Sequence, residues 1–300
     1  MINLTEPTLE DFFEYRLSRY ISLSGLFVTT MGILLNFFTI ATTSKLSIQN
    51  SSIVLIKCQA LWDIIAIFHD GYIELGGSYF NYVVQNFNTY TCKIAYYHSW
   101  GSSFCGIYHM MALAMDRVLA IKYPIWYRQN GTPRYGYKIS VCIVLFCYAI
   151  NVMNLFRFEI IDSVCVLNAS PSFTFWYASI YALGLLLIIP FLTVFFCNLY
   201  FIASLRNRKN DRNSGERRLT TMLMTNCCAF CVLIMTVGIL VVIYFNMNVV
   251  DLHSLAQFYL IEKVQYILGI INASINFVIY FVSGPSFRKA FLGLFRQSKT

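Results

Sequence analysis

Charged residues are scarce in this sequence, at 12% of 300 positions, roughly half the fraction usual in soluble domains. With 58% hydrophobic residues, a soluble body of this composition would lack the polar surface to cover itself. The same poverty of charge excludes a disordered chain and a basic nucleic-acid-binding arm. Histidine is also rare: His69, His98, His109 and His253 are spread along the chain and do not suggest a metal site. Neither His-Glu-x-x-His nor Gly-x-Ser-Gly occurs, which removes two common catalytic signatures. No internal repeat, low-complexity tract or linker long enough for a second domain is present. Strand-like alternation over about ten residues, expected of a membrane barrel, is missing as well.

What is abundant is apolar sequence in long runs. A membrane-crossing helix needs about 20 mostly apolar residues. Seven stretches meet that need: Tyr20–Thr43, Ser52–Ile73, Cys92–Ile121, Lys138–Phe158, Phe175–Leu205, Leu219–Phe245 and Leu255–Val282. The expectation is an all-α fold, a seven-transmembrane helix bundle. Residues 1–19 form an acidic leading segment without an apolar core, unlike a cleavable signal peptide. Residues 20–282 form the seven-span domain and residues 283–300 a tail. Within that tail, 287–295 (FRKAFLGLF) reads as a short amphipathic eighth helix lying on the membrane surface.

The net charge of +8 becomes informative once it is placed. With the amino terminus outside, 17 of the 22 basic residues fall on the inner side, against Asp116, Asp211 and Glu216. The outer side keeps Arg16, Arg19, Lys93, Arg157 and Lys263 against ten acids. This is the positive-inside pattern, with the carboxyl terminus in the cytoplasm of a multi-pass plasma-membrane protein. It accounts for the charge without nucleic acid; the expected surroundings are a lipid bilayer. Sequons at Asn3 and Asn168 fall on the outer side and are candidate glycosylation sites.

Polar groups inside spans are costly unless they face partners or a cavity. Asp63 lies mid-span, Asn36 lies in the first span, and Asn272 and Asn276 lie in the last. Each alone could be helix–helix glue. Together they predict a shared buried network. The third span ends in Asp116-Arg117, 25 residues after Cys92, a separation of about 37 Å along a helix. Cys92 and Arg117 therefore stand at opposite faces of the bilayer.

With Asn36, Asp63, Asp116-Arg117, Pro190 and Asn276-x-x-x-Tyr280 each in its proper span, the chain resembles the rhodopsin-like (class A) G-protein-coupled receptors over nearly its whole length. The resemblance implies a receptor that passes an extracellular signal to a heterotrimeric G protein. It implies a disulfide between Cys92 and Cys165, in an oxidising compartment. It places Glu216 opposite Arg117 as a lock between the third and sixth spans, with Asp116, Arg117, Glu216, Asn276 and Tyr280 as the activation switch. Opening that lock would expose a cleft on the cytoplasmic side. Ile107, Pro190 and Phe230 match the family's packing triad, and Arg117 and Ile125 its G-protein contacts.

Departures from the family narrow the reading. Residues 233–236 (LIMT) lack the usual Trp and Pro of the sixth span, and Phe277 replaces a proline in the seventh. Gly106 replaces a serine of the sodium pocket, which weakens the case for sodium at Asp63; no other cofactor is expected. Ser99 stands where amine receptors carry an acid, and Ile270 where light receptors carry a lysine. The candidate ligand pocket is His98, Ser99, Ser103, Trp176, Tyr181, Glu262 and Tyr266. It suits a small polar organic ligand or a short peptide, and the residues do not choose between them. Residues 112–117 (ALAMDR), 123–128 (YPIWYR) and 276–280 (NFVIY) resemble nematode serpentine chemoreceptors of class sx.

Two other classes compete. An enzyme is disfavoured by the missing motifs. A transporter or channel without G-protein coupling would show repeated halves or helices broken at the midplane. Neither pattern is visible, though Gly184 and Pro190 could weaken the fifth span.

Overall fold

A computed structural model describes residues 8–161, 163–167, 177–207, 214–247 and 249–295. Seven long helices form a bundle, and an eighth lies after the last of them. They are α1 (Phe13–Ser44), α2 (Ser51–Phe80), α3 (Thr89–Lys122), α4 (Pro133–Asn151), α5 (Tyr177–Ile188 running into Ile189–Asn207), α6 (Ser214–Asn246), α7 (Leu252–Ser283) and α8 (Pro285–Leu294). Six of the seven carry a clear membrane-length apolar window, and α6 contributes a shorter apolar stretch, Cys228–Ile243. The fold is therefore the seven-helix membrane bundle that the apolar runs predict.

Local chemistry sets the helix starts. The Asn50 side chain accepts from the Ile53 backbone N–H at 3.1 Å, and Asn88 caps α3 by accepting from Tyr90 and Thr91. Thr132 precedes Pro133, whose fixed φ suits the first helical position of α4. Asp251 accepts from the Ser254 N–H at 2.7 Å at the start of α7. That backbone hydrogen bond holds the exposed Asp251 carboxyl below its ordinary pKa. The Thr8 backbone N–H does the same for Asp11.

The buried face of α1 shows how a membrane solvent rearranges the usual pattern. Ser18, Ser22, Gly25, Thr29, Gly32, Asn36 and Thr39 are buried, whereas Phe27 and Phe37 are exposed. Small residues let backbones approach, and lipid covers the aromatic face. Most of the hydroxyls cost little because they bond back along the helix, Thr29 to the Gly25 carbonyl at 2.7 Å and Thr43 to the Thr39 carbonyl at 2.7 Å. This face packs on α7 and α2. Helix α3 runs through the middle, against α2, α4 and α5. An apolar cluster including Leu113, Val194, Phe230, Phe277 and Tyr280 ties α3, α5, α6 and α7 together.

Three features differ from the sequence reading. The fourth span was expected to reach Phe158, but α4 ends at Asn151, a short turn covers Asn154–Arg157, and Phe158 begins a strand. That strand, β1 (Phe158–Ile161), pairs antiparallel with β2 (Val164–Leu167), so a two-stranded hairpin joins the helical fold. Its turn uses Ser163 at φ 63°. The third feature is a pair of π-helical segments, His69–Gly76 in α2 and Tyr177–Ile188 in α5. The wider turn in α5 lies just before Pro190, which lacks the N–H a regular ladder needs.

Helix α8 docks through aromatic rings. Phe291 meets Phe277 at 5.2 Å and Phe38 at 5.5 Å, while Phe287 is buried against Tyr280. Arg288 and Lys289 remain exposed, as an amphipathic surface helix requires.

Candidate functional site

The Cys92–Cys165 disulfide joins the start of α3 to β2, with Cα atoms 5.6 Å apart. Asn86 accepts from the Cys165 backbone N–H at 2.8 Å, and Tyr96 stacks on Phe158 with ring centroids 3.9 Å apart. These contacts fix the hairpin over one end of the bundle. Below it lies a cavity of about 780 Å³ bounded by α2, α3, α6 and α7. That volume lies within the range of small-molecule sites. Phe158, Val164 and Cys165 line the hairpin end, and Asp63, Asn272 and Asn276 line the deep end.

At the deep end, Asn276 Nδ2 donates to Asp63 Oδ2 at 3.0 Å, joining α7 to α2. Asp63 is almost completely buried. Gly106 of α3 leaves room for it: a Cβ there would come 2.5 Å from Asp63 Oδ1. Asn36 Nδ2 donates to the Ala273 carbonyl at 2.9 Å, and Asn276 reaches the same carbonyl at 3.5 Å. Asn36, Asp63 and Asn276 thus meet through one stretch of α7, while Asn272 faces the cavity. Asn276 presents a nitrogen to Asp63 and Gly106 carries no hydroxyl.

Of the seven pocket residues expected from sequence, Ser99, Ser103, Glu262 and Tyr266 line the cavity. His98 and Tyr181 do not. His98 Nδ1 bonds the Tyr148 hydroxyl at 2.8 Å, and the Tyr181 hydroxyl donates to Asn151 while its ring packs on Phe104. One residue along a helix turns a side chain by about 100°, so His98 faces α4 where Ser99 faces the cavity. Trp176 lies outside the described residues, as do Asn3 and Asn168.

The sequence reading passed over Gln59, Gln85 and Arg157, all of which line the cavity. Gln85 is fully buried in the turn before α3, and its Nε2 donates to Glu74 Oε1 at 2.5 Å. An apolar-run scan ends α2 at Ile73 and leaves this turn outside the bundle. The π-helical segment instead carries Glu74 inward. On the α7 wall, Lys263 Nζ donates to Glu262 Oε2 at 2.7 Å.

Ile107 and Phe230 line the cavity beside the central apolar cluster, and Pro190 is buried where the α-helical half of α5 begins. At the far end of α3, Asp116 accepts from Ser51 at 2.7 Å, from Tyr127 at 2.8 Å and from Ser52. Burial pushes the Tyr127 phenol above its ordinary pKa, so it stays protonated as a donor. Asp116 is therefore held by α2 and by the short helix Pro124–Asn130. Neighbouring Arg117 is buried, and its Nε and Nη2 have no hydrogen-bond partner among the described residues. The Glu216 side chain falls outside the described set. Ile125 is 75% exposed on the short helix. Tyr280 is buried beneath α8.

A seven-helix bundle with a capped cavity at one end and a buried, singly placed Asp-Arg pair at the other has the layout of a membrane receptor rather than an enzyme. The chain belongs to the 7 transmembrane receptor (rhodopsin family), whose profile matches residues 77–280. Among curated proteins it is similar to the Proto-oncogene Mas of Rattus norvegicus, Mus musculus and Homo sapiens. Each is 25% identical over 186 residues, which is 62% of this chain and 53% of the relative. The chain thus spans about half the length of the curated relatives it matches.

Proposed function

We propose that this protein receives an extracellular ligand in the capped cavity and passes the signal to a heterotrimeric G protein at the Arg117 end. The observation that carries this reading is the buried Arg117 guanidinium, whose Nε and Nη2 have no hydrogen-bond partner among the described residues, at the opposite end of α3 from the cavity cap. A buried cation with free donors is poised to take an acceptor when neighbouring helices part. Ile125, exposed beside it, would supply an apolar contact to the partner.

The proposed switch comprises Asp116, Arg117, Glu216, Asn276 and Tyr280, with movement of α6 against α3 opening the cleft. The Asp63–Asn276 bond couples the cavity floor to α7, and Tyr280 continues along that helix. Residues 1–19 would lie outside the cell and residues 283–300 in the cytoplasm, with α8 on the inner leaflet of the plasma membrane. Asn3 and Asn168 are proposed glycosylation sites. The resemblance to nematode class sx chemoreceptors suggests a small organic chemosensory cue, or a short peptide, as the ligand.

The test is nucleotide exchange on a co-expressed G protein, with Arg117→Ala compared at matched surface level. Loss of stimulated exchange is expected. Unchanged exchange would overturn the mechanism, and ion current or substrate flux in liposomes without G protein would favour a channel or transporter.

A further inference from the structure

The hairpin end of the cavity has more acceptors than donors. Three carboxyl groups line that end, Asp70, Glu74 and Glu262, against two cations, Lys263 and Arg157. Both cations are engaged. Lys263 bonds Glu262, and Arg157 bonds Asn154 at 3.2 Å and lies over the Phe158 ring. Asp70 receives a long 3.5 Å bond from Ser99 besides its contact with His69, and Glu74 receives the neutral amide of Gln85. His69 stands beside both, with Nδ1 3.5 Å from Asp70 and 4.0 Å from Glu74.

A buried amide oxygen at this end adds an independent observation. Gln85 Oε1 has no hydrogen-bond partner among the described residues. Gln85 is 1% exposed and lines the cavity. Buried acceptors left empty are costly, so a ligand with donors gains by filling them. No group of three or more His, Cys, Asp or Glu residues forms a metal-binding set among the described residues.

We propose that this end of the cavity binds the ammonium or guanidinium group of an organic cation, with Asp70, Glu74 and Gln85 oxygens as its acceptors. Phe230, Ile234 and Tyr266 on α6 and α7 hold its apolar body. The third-helix position that would carry an acid in amine receptors is Ser99, so the charge comes from α2 instead. This inference rests on the reading of the cavity as a ligand site.

The experiment uses the full chain purified in lipid nanodiscs without G protein, so that binding is read apart from signalling. The probes are phenylbutylamine and phenylbutylguanidine, compared with neutral phenylbutanol and anionic phenylpentanoate, with the ligand-induced rise in Tm as readout. Both cations should raise Tm, and neither the alcohol nor the acid should at equal concentration. Asp70→Asn and Glu74→Gln should each weaken cation binding at least about tenfold. Asp70→Asn also alters the His69 contact, so each variant's ligand-induced shift is read against its own unliganded Tm. Absence of a shift with either cation, equal binding of the alcohol or the acid, or unchanged cation affinity in both variants overturns the inference. Cation binding that never stimulates nucleotide exchange would instead count against the receptor reading alone. Exchange driven by neutral or anionic ligands would do the reverse.

Discussion

Asn276 donates to Asp63 across 3.0 Å of membrane interior, and Gly106 presses a bare Cα against the carboxylate's other side. Three helices therefore converge on one carboxyl group. The arrangement tolerates that polar group because one oxygen is bonded and the cavity lies alongside. Asn276→Ala should lower stability by about 1–3 kcal/mol, the usual cost of leaving a buried acceptor without its donor. Gly106→Ser should also destabilise, since its Cβ must displace Asp63. Thermal unfolding in nanodiscs checks both; a Gly106→Ser variant as stable as the parent would contradict the close packing.

Asp116 accepts from three hydroxyls, while Arg117 goes without a partner among the described residues. Removing Ser51 and Ser52 together leaves the carboxylate short of donors and frees it to turn toward Arg117. The double variant Ser51→Ala/Ser52→Ala is expected to change basal nucleotide exchange several-fold. Tyr127→Phe should change it less, because the two serines remain. Equal effects from the single tyrosine and the serine pair would show that the hydroxyls do not act together.

The disulfide closes a loop between positions separated by 73 residues and anchors the hairpin over the cavity. Cys165→Ser is expected to cost about 2–4 kcal/mol of stability. It should also accelerate ligand release, because the lid then hangs on the Asn86 bond and the Tyr96–Phe158 stack. Dissociation rates of a bound probe, compared before and after mild reduction of the parent protein, provide the measurement.

Acid should loosen the start of α7. The Asp251 carboxyl is held below its ordinary pKa by the Ser254 N–H, so its contribution is present above the unfolded value. That contribution is lost as pH falls through the lowered value. Hydrogen exchange at Ser254 and Leu255 should quicken across that acidic window, and Asp251→Ala should show fast exchange at every pH. An unchanged profile in the variant would remove the cap from the account.

The helices were legible because lipid demands long apolar runs, and the Asp63, Asn36 and Asn276 cluster because the same solvent makes such groups conspicuous. The end of α2 was not legible. Its apolar run stops near Ile73, yet the π-helical turn continues the helix and brings Glu74 to Gln85. A change from 3.6 residues per turn leaves no mark in composition. His98 and Tyr181 were misplaced for a related reason. Polar residues near a helix end satisfy either a cavity or a neighbouring helix, and only rotation about the axis decides which. The hairpin hid inside a run that reads equally as the end of a span.

The polar face of α1 has a consequence for how the chain is made. Asn36 Nδ2 divides its bonds between the Gly32 carbonyl of its own helix and the Ala273 carbonyl on α7. Helix α1 is therefore made with an amide of which one partner is synthesised much later. Until α7 enters the bilayer, that amide has only its own helix to bond. Nascent chains stopped before Ala273 should accordingly be held by the insertion machinery, and release should coincide with the arrival of α7.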